Sequence, residues 1–443
     1  MADARAPESA AGIPVAAASA LLAGQLVAIG SCIGGPLRFV ISLPFVIAGF
    51  VAASHAMWRV DSARVVKWVP PFCALLCLMA VVGLVAPPTI GGLWYDAAKR
   101  AYFVLALGAV AVFWRGRARQ RLWLVAVVAI AATALHLISP LAAPEPDIDV
   151  WVWTRLCIRA LLDGVQPYTI RAASLITSKY PTAEVYPYMP LTLLMFAPGQ
   201  ALLGDYRYVS ALCLPATIAL NRATGRRLGL DARMVDGATL AFLLFPRGSW
   251  LTLYGWTEPL LVVLVSVFVY LAVRAPNGAG QTMAFLLLPA AKQYVMAPVF
   301  LFLAIKRPRA SAIAMGAAIA AASVIPFLIW DWRSTVTGIT VQMVAPLEPR
   351  LDSLSIVAML GRLTGWYANR WVSVAVQVLV AGIAYLKLRH HGLAGVLLAS
   401  ALALHATFLT GWQAFMNYYY FIAEILLLSA MVCAAPRSNI SRS

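Results

Sequence analysis

The chain has 443 residues, of which 62% are hydrophobic and only 12% charged, and its mean hydropathy is +0.83. A soluble globular protein carries about 25% charged and about 45–50% apolar residues, so most of this surface does not face water. Disorder, collagen, coiled coil and a disulfide-rich secreted scaffold are excluded. The net charge of +17 would point to nucleic acid in a soluble protein. In a membrane chain it is first the Lys/Arg excess of inner-side loops, so no nucleic-acid partner is expected. The six cysteines are scattered, and neither a disulfide framework nor a metal cluster is expected. The first residues lack a basic run, so a cleaved leader is not expected either.

Apolar runs long enough to cross a bilayer or half of one recur throughout. The first four cover about 13–34, 38–58, 66–87 and 98–114. The basic stretch Arg115–Arg121 precedes a fifth run at 122–141 and places that loop, the N-terminus and Arg59, Arg64 and Lys67 inside. The tract 142–187 is then outside. Within it, Val150, Trp153, Leu156, Cys157, Ala160 and Leu161 follow a helical period, with Arg155, Arg159 and Asp163 on another face. That pattern predicts an amphipathic helix along the membrane surface, ended by Gly164 and Pro167.

Segments 188–204 and 206–221 must together make one net crossing, because Arg222, Arg226, Arg227 and Arg233 read as inside. Pro198 and Gly199 make the first the re-entrant one. Crossings follow at 234–252, 259–273, 281–291, 293–305 and 310–330, then a long outer loop at about 331–370, then 371–386, 393–411 and 418–434. The expectation is an all-α polytopic protein of about 13–14 crossings with both termini inside. Residues 1–118 read as a four-helix addition and 119–443 as the core.

Charges that insertion does not explain remain on the outer side: Glu145, Asp147, Asp149, Arg155, Arg159, Arg171, Lys179, Glu184, Arg247, Glu258, Lys292, Arg333, Glu348, Arg350 and Asp352. An ionisable group at mid-bilayer costs at least ~2.5–3.5 kcal/mol. Lys292 interrupts an apolar run beside Gln293 and Tyr294, and is either a phosphate-directed cation or a snorkelling helix-end lysine. Asp147 and Asp149 open the amphipathic helix. Such carboxylates serve as a general base, a divalent-cation site or a helix cap. Arg350, in Pro349–Ser353, can be a loop salt bridge. Arg247 can be a helix-end anchor and Glu258 a first-turn acid. Trp412 and Tyr418–Tyr420, with Asn417, form either a ligand-stacking platform or an interfacial aromatic belt.

The run DIDVWVWTRLCIRALLDGVQPY, followed by YPYMPLTLL, resembles the first external loop of the GT-C superfamily of membrane glycosyltransferases. In particular it resembles polyprenyl-phosphate-mannose-dependent mannosyltransferases. The positions carrying the likeness are Asp147, Asp149, Gly164, Pro167, Tyr168, Tyr186, Tyr188, Pro190 and Leu191. Trp256–Pro259, Lys292–Tyr294, Arg350 with Asp352–Ser355, and Phe415–Tyr419 add to it. The likeness spans about 120–435. It departs from the superfamily pattern in placing the acidic loop after five crossings rather than one.

The resemblance implies inverting transfer of a sugar, mannose favoured, from a polyprenyl-phosphate donor to the hydroxyl of a membrane lipid or glycan on the outer face of a plasma membrane. Asp147 or Asp149 would be the base. Lys292, Arg350 and Arg247 would hold phosphate. Glu258, Gln293, Tyr294, Asp352, Tyr168, Tyr186, Asn417 and Tyr418 would line the substrate. No cofactor is required, although the two aspartates could hold a divalent cation. The rival class is a transporter or lipid flippase, but the unexplained charges gather on one side and no inverted repeat is visible. A ligase or polymerase of lipid-linked glycans would call for an outer histidine, and His55, His136, His390, His391 and His405 all fall in spans or inner loops.

Overall fold

The computed structural model describes residues 12–32, 35–86, 88–171, 185–344 and 350–436; Lys179, Glu184, Glu348, Arg437 and Arg442 lie outside them. The described chain is helical throughout except for one short ribbon, in which Gly12–Pro14 pairs antiparallel with Val65–Lys67, an element the sequence pattern did not announce. In chain order the helices are α1 Val15–Gly30, α2 Ser42–Trp58, α3 Val69–Val85, α4 Gly92–Arg115, α5 Ala118–Ala142, α6 Asp149–Leu162, α7 Pro190–Leu203, α8 Arg207–Arg227 and α9 Ala232–Leu243. They continue with α10 Gly248–Leu253, α11 Glu258–Arg274, α12 Ala279–Ala291, α13 Met296–Lys306, α14 Ala310–Val344, α15 Ile356–Thr364, α16 Arg370–Leu388, α17 Gly392–Leu409 and α18 Met416–Ala434.

Six of them, α4, α5, α14, α16, α17 and α18, are long and apolar enough to cross a membrane. Helices α17 and α18 are buried at the centre of the bundle, whereas α14 and α16 turn most of their apolar surface outward. Ile130, Ile329, Val378 and Leu386 stand exposed on such faces. An apolar exterior of this extent is consistent with a multi-pass membrane protein. Helix α1 packs along α18 and α2 against α17, so the first spans lie against the core.

Three sequence expectations are corrected. The span expected at 234–252 is two helices, because Pro246 has no N–H to give and the chain breaks over Leu244–Arg247 before α10 restarts. The outer loop expected from 331 is helix as far as Val344. Asp331 is non-helical there (φ −155°, ψ 97°) and accepts hydrogen bonds from the Ser334 amide (3.1 Å) and hydroxyl (2.7 Å). A polar cluster that reads as a loop is therefore the cap of a continuing helix. Helix α6 does not lie with its apolar side on lipid: Trp151, Trp153, Cys157 and Ile158 are buried against the protein, with α7 as its main partner. Its charged side keeps the expected exposure at Arg159 and Asp163, and Arg155 pairs with Glu145 at 3.2 Å.

Both ends of α7 lie on the face of the bundle that carries α6. At its start the Pro187 carbonyl accepts from Gln293 (2.8 Å). Just beyond its end, Arg207 donates to the carbonyls of Ala143 (2.7 Å) and Leu253 (2.8 Å) at the ends of α5 and α10. Helix α7 runs unbroken through Pro198 and Gly199. Arg207 is fully buried, paired with Asp205 at 2.6 Å, and also reaches the carbonyls of Pro140 and Pro144. Helix-end carbonyls have no partner within their own helix, and this guanidinium supplies one to two elements at once. Hydrogen bonds to a charged group contribute about 1.5–3 kcal/mol each. Arg207→Leu is therefore expected to abolish recovery of folded, monodisperse protein in detergent, and Arg207→Lys to recover only part of it. Wild-type yield and melting temperature for Arg207→Leu would refute this role.

Candidate functional site

On the face carrying α6, several separate stretches of sequence converge. Helix α6 begins at Asp149, not at a capping aspartate: the cap position is Ile148, and no side chain closes the helix there. Asp149 Oδ1 accepts from the Val150 amide at 2.8 Å. The side chain is half-buried and within electrostatic reach of Lys292, Tyr188 and Tyr418. Asp147, two residues earlier, is exposed. Loss of water around Asp149 raises its carboxyl above the usual aspartate range, and the positive charge of Arg350 pulls in the opposite direction. The structure therefore separates two aspartates that sequence could not.

Lys292 sits in the extended break between α12 and a 3-10 turn at Gln293–Val295, where Pro289 already weakens the preceding helix. It is buried and hydrogen-bonded to Glu258, the first residue of α11, which is itself without exposure. Tyr294 also donates to Glu258 Oε1 (3.4 Å), while Oε2 of the same carboxylate has no hydrogen-bond partner. The ammonium lies over the rings of Tyr188, Tyr418 and Tyr294 at 4.7, 5.5 and 5.6 Å. Lys292 is therefore no snorkelling lysine, and its charge is already answered by a carboxylate and three aromatic faces.

Arg350 and Asp352 form the loop ion pair in bidentate geometry, with both contacts at 2.7 Å, and Arg350 also covers the ring of Phe415 at 4.8 Å. Partial burial would raise the Asp352 carboxyl, but the hydrogen bonds and charge of Arg350 outweigh it and hold the group below the usual range. The backbone of this loop is pinned to the start of α18: the Leu354 amide donates to Ala414 (2.7 Å) and Tyr419 donates to the Leu354 carbonyl (2.7 Å).

Beside these groups lies a cavity of about 280 Å³. Arg38, Arg247, Trp250, Tyr254, Trp256 and Asp352 are on its wall, and Ile148 of the Asp149 segment reaches it too. Arg247 is buried at the cap of α10, its guanidinium 4.0 Å above the Trp250 ring and its Nε without a hydrogen-bond acceptor. Arg38 follows the end of α1 and donates to the Asp352 carbonyl. Tyr254 stacks on Trp256 with ring centres 5.7 Å apart, and Trp250 adjoins Tyr254 at 5.4 Å. Two guanidiniums and a run of three aromatic rings make this wall suited to an anionic group attached to a flat or apolar body.

Other expected residues are not on the wall of this cavity. Tyr168 and Tyr186 have no exposure; Tyr168 donates to the Tyr188 carbonyl (2.7 Å) and the two rings meet edge to face. They shape the loop that presents Tyr188 and do not line the cavity. Gln293 ties that loop to α14 through the carbonyls of Pro187 and Ile339. Of the aromatic run in α18, Tyr419 is buried on the Leu354 carbonyl and Tyr420 packs on Phe242 and Phe245, leaving Tyr418 for the site. Trp412 donates to the Ala368 carbonyl at 2.7 Å. Asn417 is buried with its Oδ1 unpartnered. Arg38, Arg207 and the ring of Tyr254 were missed by the sequence reading. The count of crossings puts Arg38, the first residue of the second run, on the outer side, and that is the signal in the sequence. Among the described residues no group of three His, Cys, Asp or Glu side chains is placed to hold a metal ion.

The described fold is that of a helical protein in which six helices are long and apolar enough to cross a membrane. Compared with protein-family models, curated proteins and solved structures, the chain finds no match.

Proposed function

We propose that the protein is a multi-pass membrane glycosyltransferase of GT-C-like architecture, acting on the outer side of a plasma membrane. In this reading it has about 13–14 crossings with both termini inside, and it moves a sugar, mannose favoured by the resemblance, from a polyprenyl-phosphate donor to an acceptor hydroxyl. The observation that carries the reading is one half-buried carboxylate, Asp149, beside a cavity walled by Arg38, Arg247 and three aromatic rings. Asp149 accepts the acceptor's hydroxyl proton as that oxygen bonds to the anomeric carbon. The bond from the anomeric carbon to the phosphate oxygen breaks on the opposite face, so the configuration inverts. The phosphate leaves with the electron pair, and its growing charge is met by guanidiniums already in position. The compensated state of Lys292 moves it behind Arg247 and Arg38 as a phosphate ligand; its part is to hold Glu258, Tyr188 and Tyr418 in place around the sugar.

Reconstituted full-length protein given polyprenyl-phosphate mannose should release the lipid phosphate and glycosylate an acceptor in membrane extract. Arg247→Gln should raise KM for the donor about tenfold or more, the loss of a charge-assisted contact of about 1.5–3 kcal/mol, with a smaller change in KM for the acceptor. Movement of the intact lipid across the vesicle with no sugar transfer would instead establish a flippase.

A further inference from the structure

The opposite end of the bundle carries a second cavity, of about 350 Å³, between the start of α5, the end of α8 and the start of α9. Its wall has two kinds of surface. Arg119, Arg222 and Arg226 supply positive charge, while Leu122, Leu230 and Val235 supply an apolar side. One carboxylate, Asp236, is present, and it is already engaged: Arg222 pairs with its Oδ1 at 2.9 Å, and Arg121 Nε stands 4.0 Å from Oδ2. Arg121 is buried and its Nε has no hydrogen-bond acceptor, although its Nη1 donates to the Gly116 carbonyl at 2.7 Å. Arg119 and Arg226 are exposed and have no carboxylate within 4.0 Å among the described residues. Leu122 is 47% exposed beside them.

The positive-inside rule accounts for the number of these arginines. It does not account for a cavity in which two uncompensated guanidiniums stand over an apolar wall and a third is fixed by a buried carboxylate. We propose that this cavity binds the phosphodiester headgroup of an anionic membrane lipid. Arg119 and Arg226 hold the phosphate, Arg222 and Asp236 fix the back wall, and Leu122, Leu230 and Val235 receive the glycerol and first acyl carbons. The apolar wall selects a lipid over a free phosphate ion, and the arginines select an anionic lipid over a zwitterionic one. Basic pockets between helices at the inner face suit such headgroups on physical grounds, and this one is independent of the chemistry at the other end.

The test is native mass spectrometry of the full-length protein in detergent, titrated with dioleoyl-phosphatidylglycerol or dioleoyl-phosphatidylcholine, with inorganic phosphate as competitor. Saturable binding of phosphatidylglycerol is expected, with phosphatidylcholine weaker and millimolar phosphate unable to displace the lipid. Arg119→Gln with Arg226→Gln should weaken it about tenfold or more, and Leu122→Gln should weaken it by itself. Arg59→Gln with Arg64→Gln removes two exposed inner-side charges elsewhere and should leave it unchanged. Equal loss in that control pair would reduce the effect to diffuse attraction and overturn the site. So would equal binding of phosphatidylcholine, or full displacement by phosphate.

Discussion

Asp149→Asn is expected to lower transfer about 10²–10⁴-fold, the usual reach of a general base, whereas Asp147→Asn stays within a few fold of wild type. The two residues are equivalent in sequence, and the contrast rests on their surroundings: Asp147 is exposed, and Asp149 is half-buried within electrostatic reach of Lys292, Tyr188 and Tyr418. The pH profile supplies a second readout. The base must be ionised to accept a proton, so activity falls as pH drops through the Asp149 titration. Desolvation raises that carboxyl, so the acid limb of kcat/KM lies above the ordinary aspartate range. Arg350 lowers the same group, while Asp352 raises it. Arg350→Gln removes the stabilising cation and leaves the Asp352 charge unanswered, so both changes move the acid limb to higher pH. A limb that moves down, or one that persists in Asp149→Asn, would remove Asp149 from the role.

Much of the architecture was legible because lipid imposes it. Long apolar runs and the basic loops that end them led to the helix order. One failure arose because polar residues near helix ends serve two purposes. Asp331, Arg333 and Ser334 look like a loop, yet Asp331 caps the next turn of a helix that runs on to Val344. The candidate site was legible as a set of residue types, since Asp149, Glu258, Lys292, Tyr294, Arg350, Asp352 and Tyr418 do meet on one face. Their pairings were not legible. Nothing in the spacing of Glu258 and Lys292, or of Arg38 and Asp352, announces that they touch, because those contacts form only when distant helices pack. Burial was the other hidden quantity: Tyr168 and Tyr186 fit a substrate-lining motif equally well whether they face the cavity or the core.

The Glu258–Lys292 pair gives the second large expected effect, and it separates a folding role from a binding one. Both side chains are buried, and a buried ion pair that loses one member leaves an uncompensated charge, at a cost of about 3–5 kcal/mol. Glu258→Gln and Lys292→Met should each cut the yield of folded protein and lower its melting temperature. The double variant should regain most of the loss, because replacing a whole buried pair with neutral groups is often close to neutral. Transfer by that double variant is the informative number. Should Lys292 also touch the lipid phosphate, the refolded double variant remains deficient, with KM for the donor raised as in Arg247→Gln. Should the pair act only by positioning Tyr188 and Tyr418 through the ammonium that lies over both rings, kcat falls and donor KM holds. The bonded state of Lys292 leads us to expect the second pattern. A double variant as unstable as either single would show that the two residues do not form one unit.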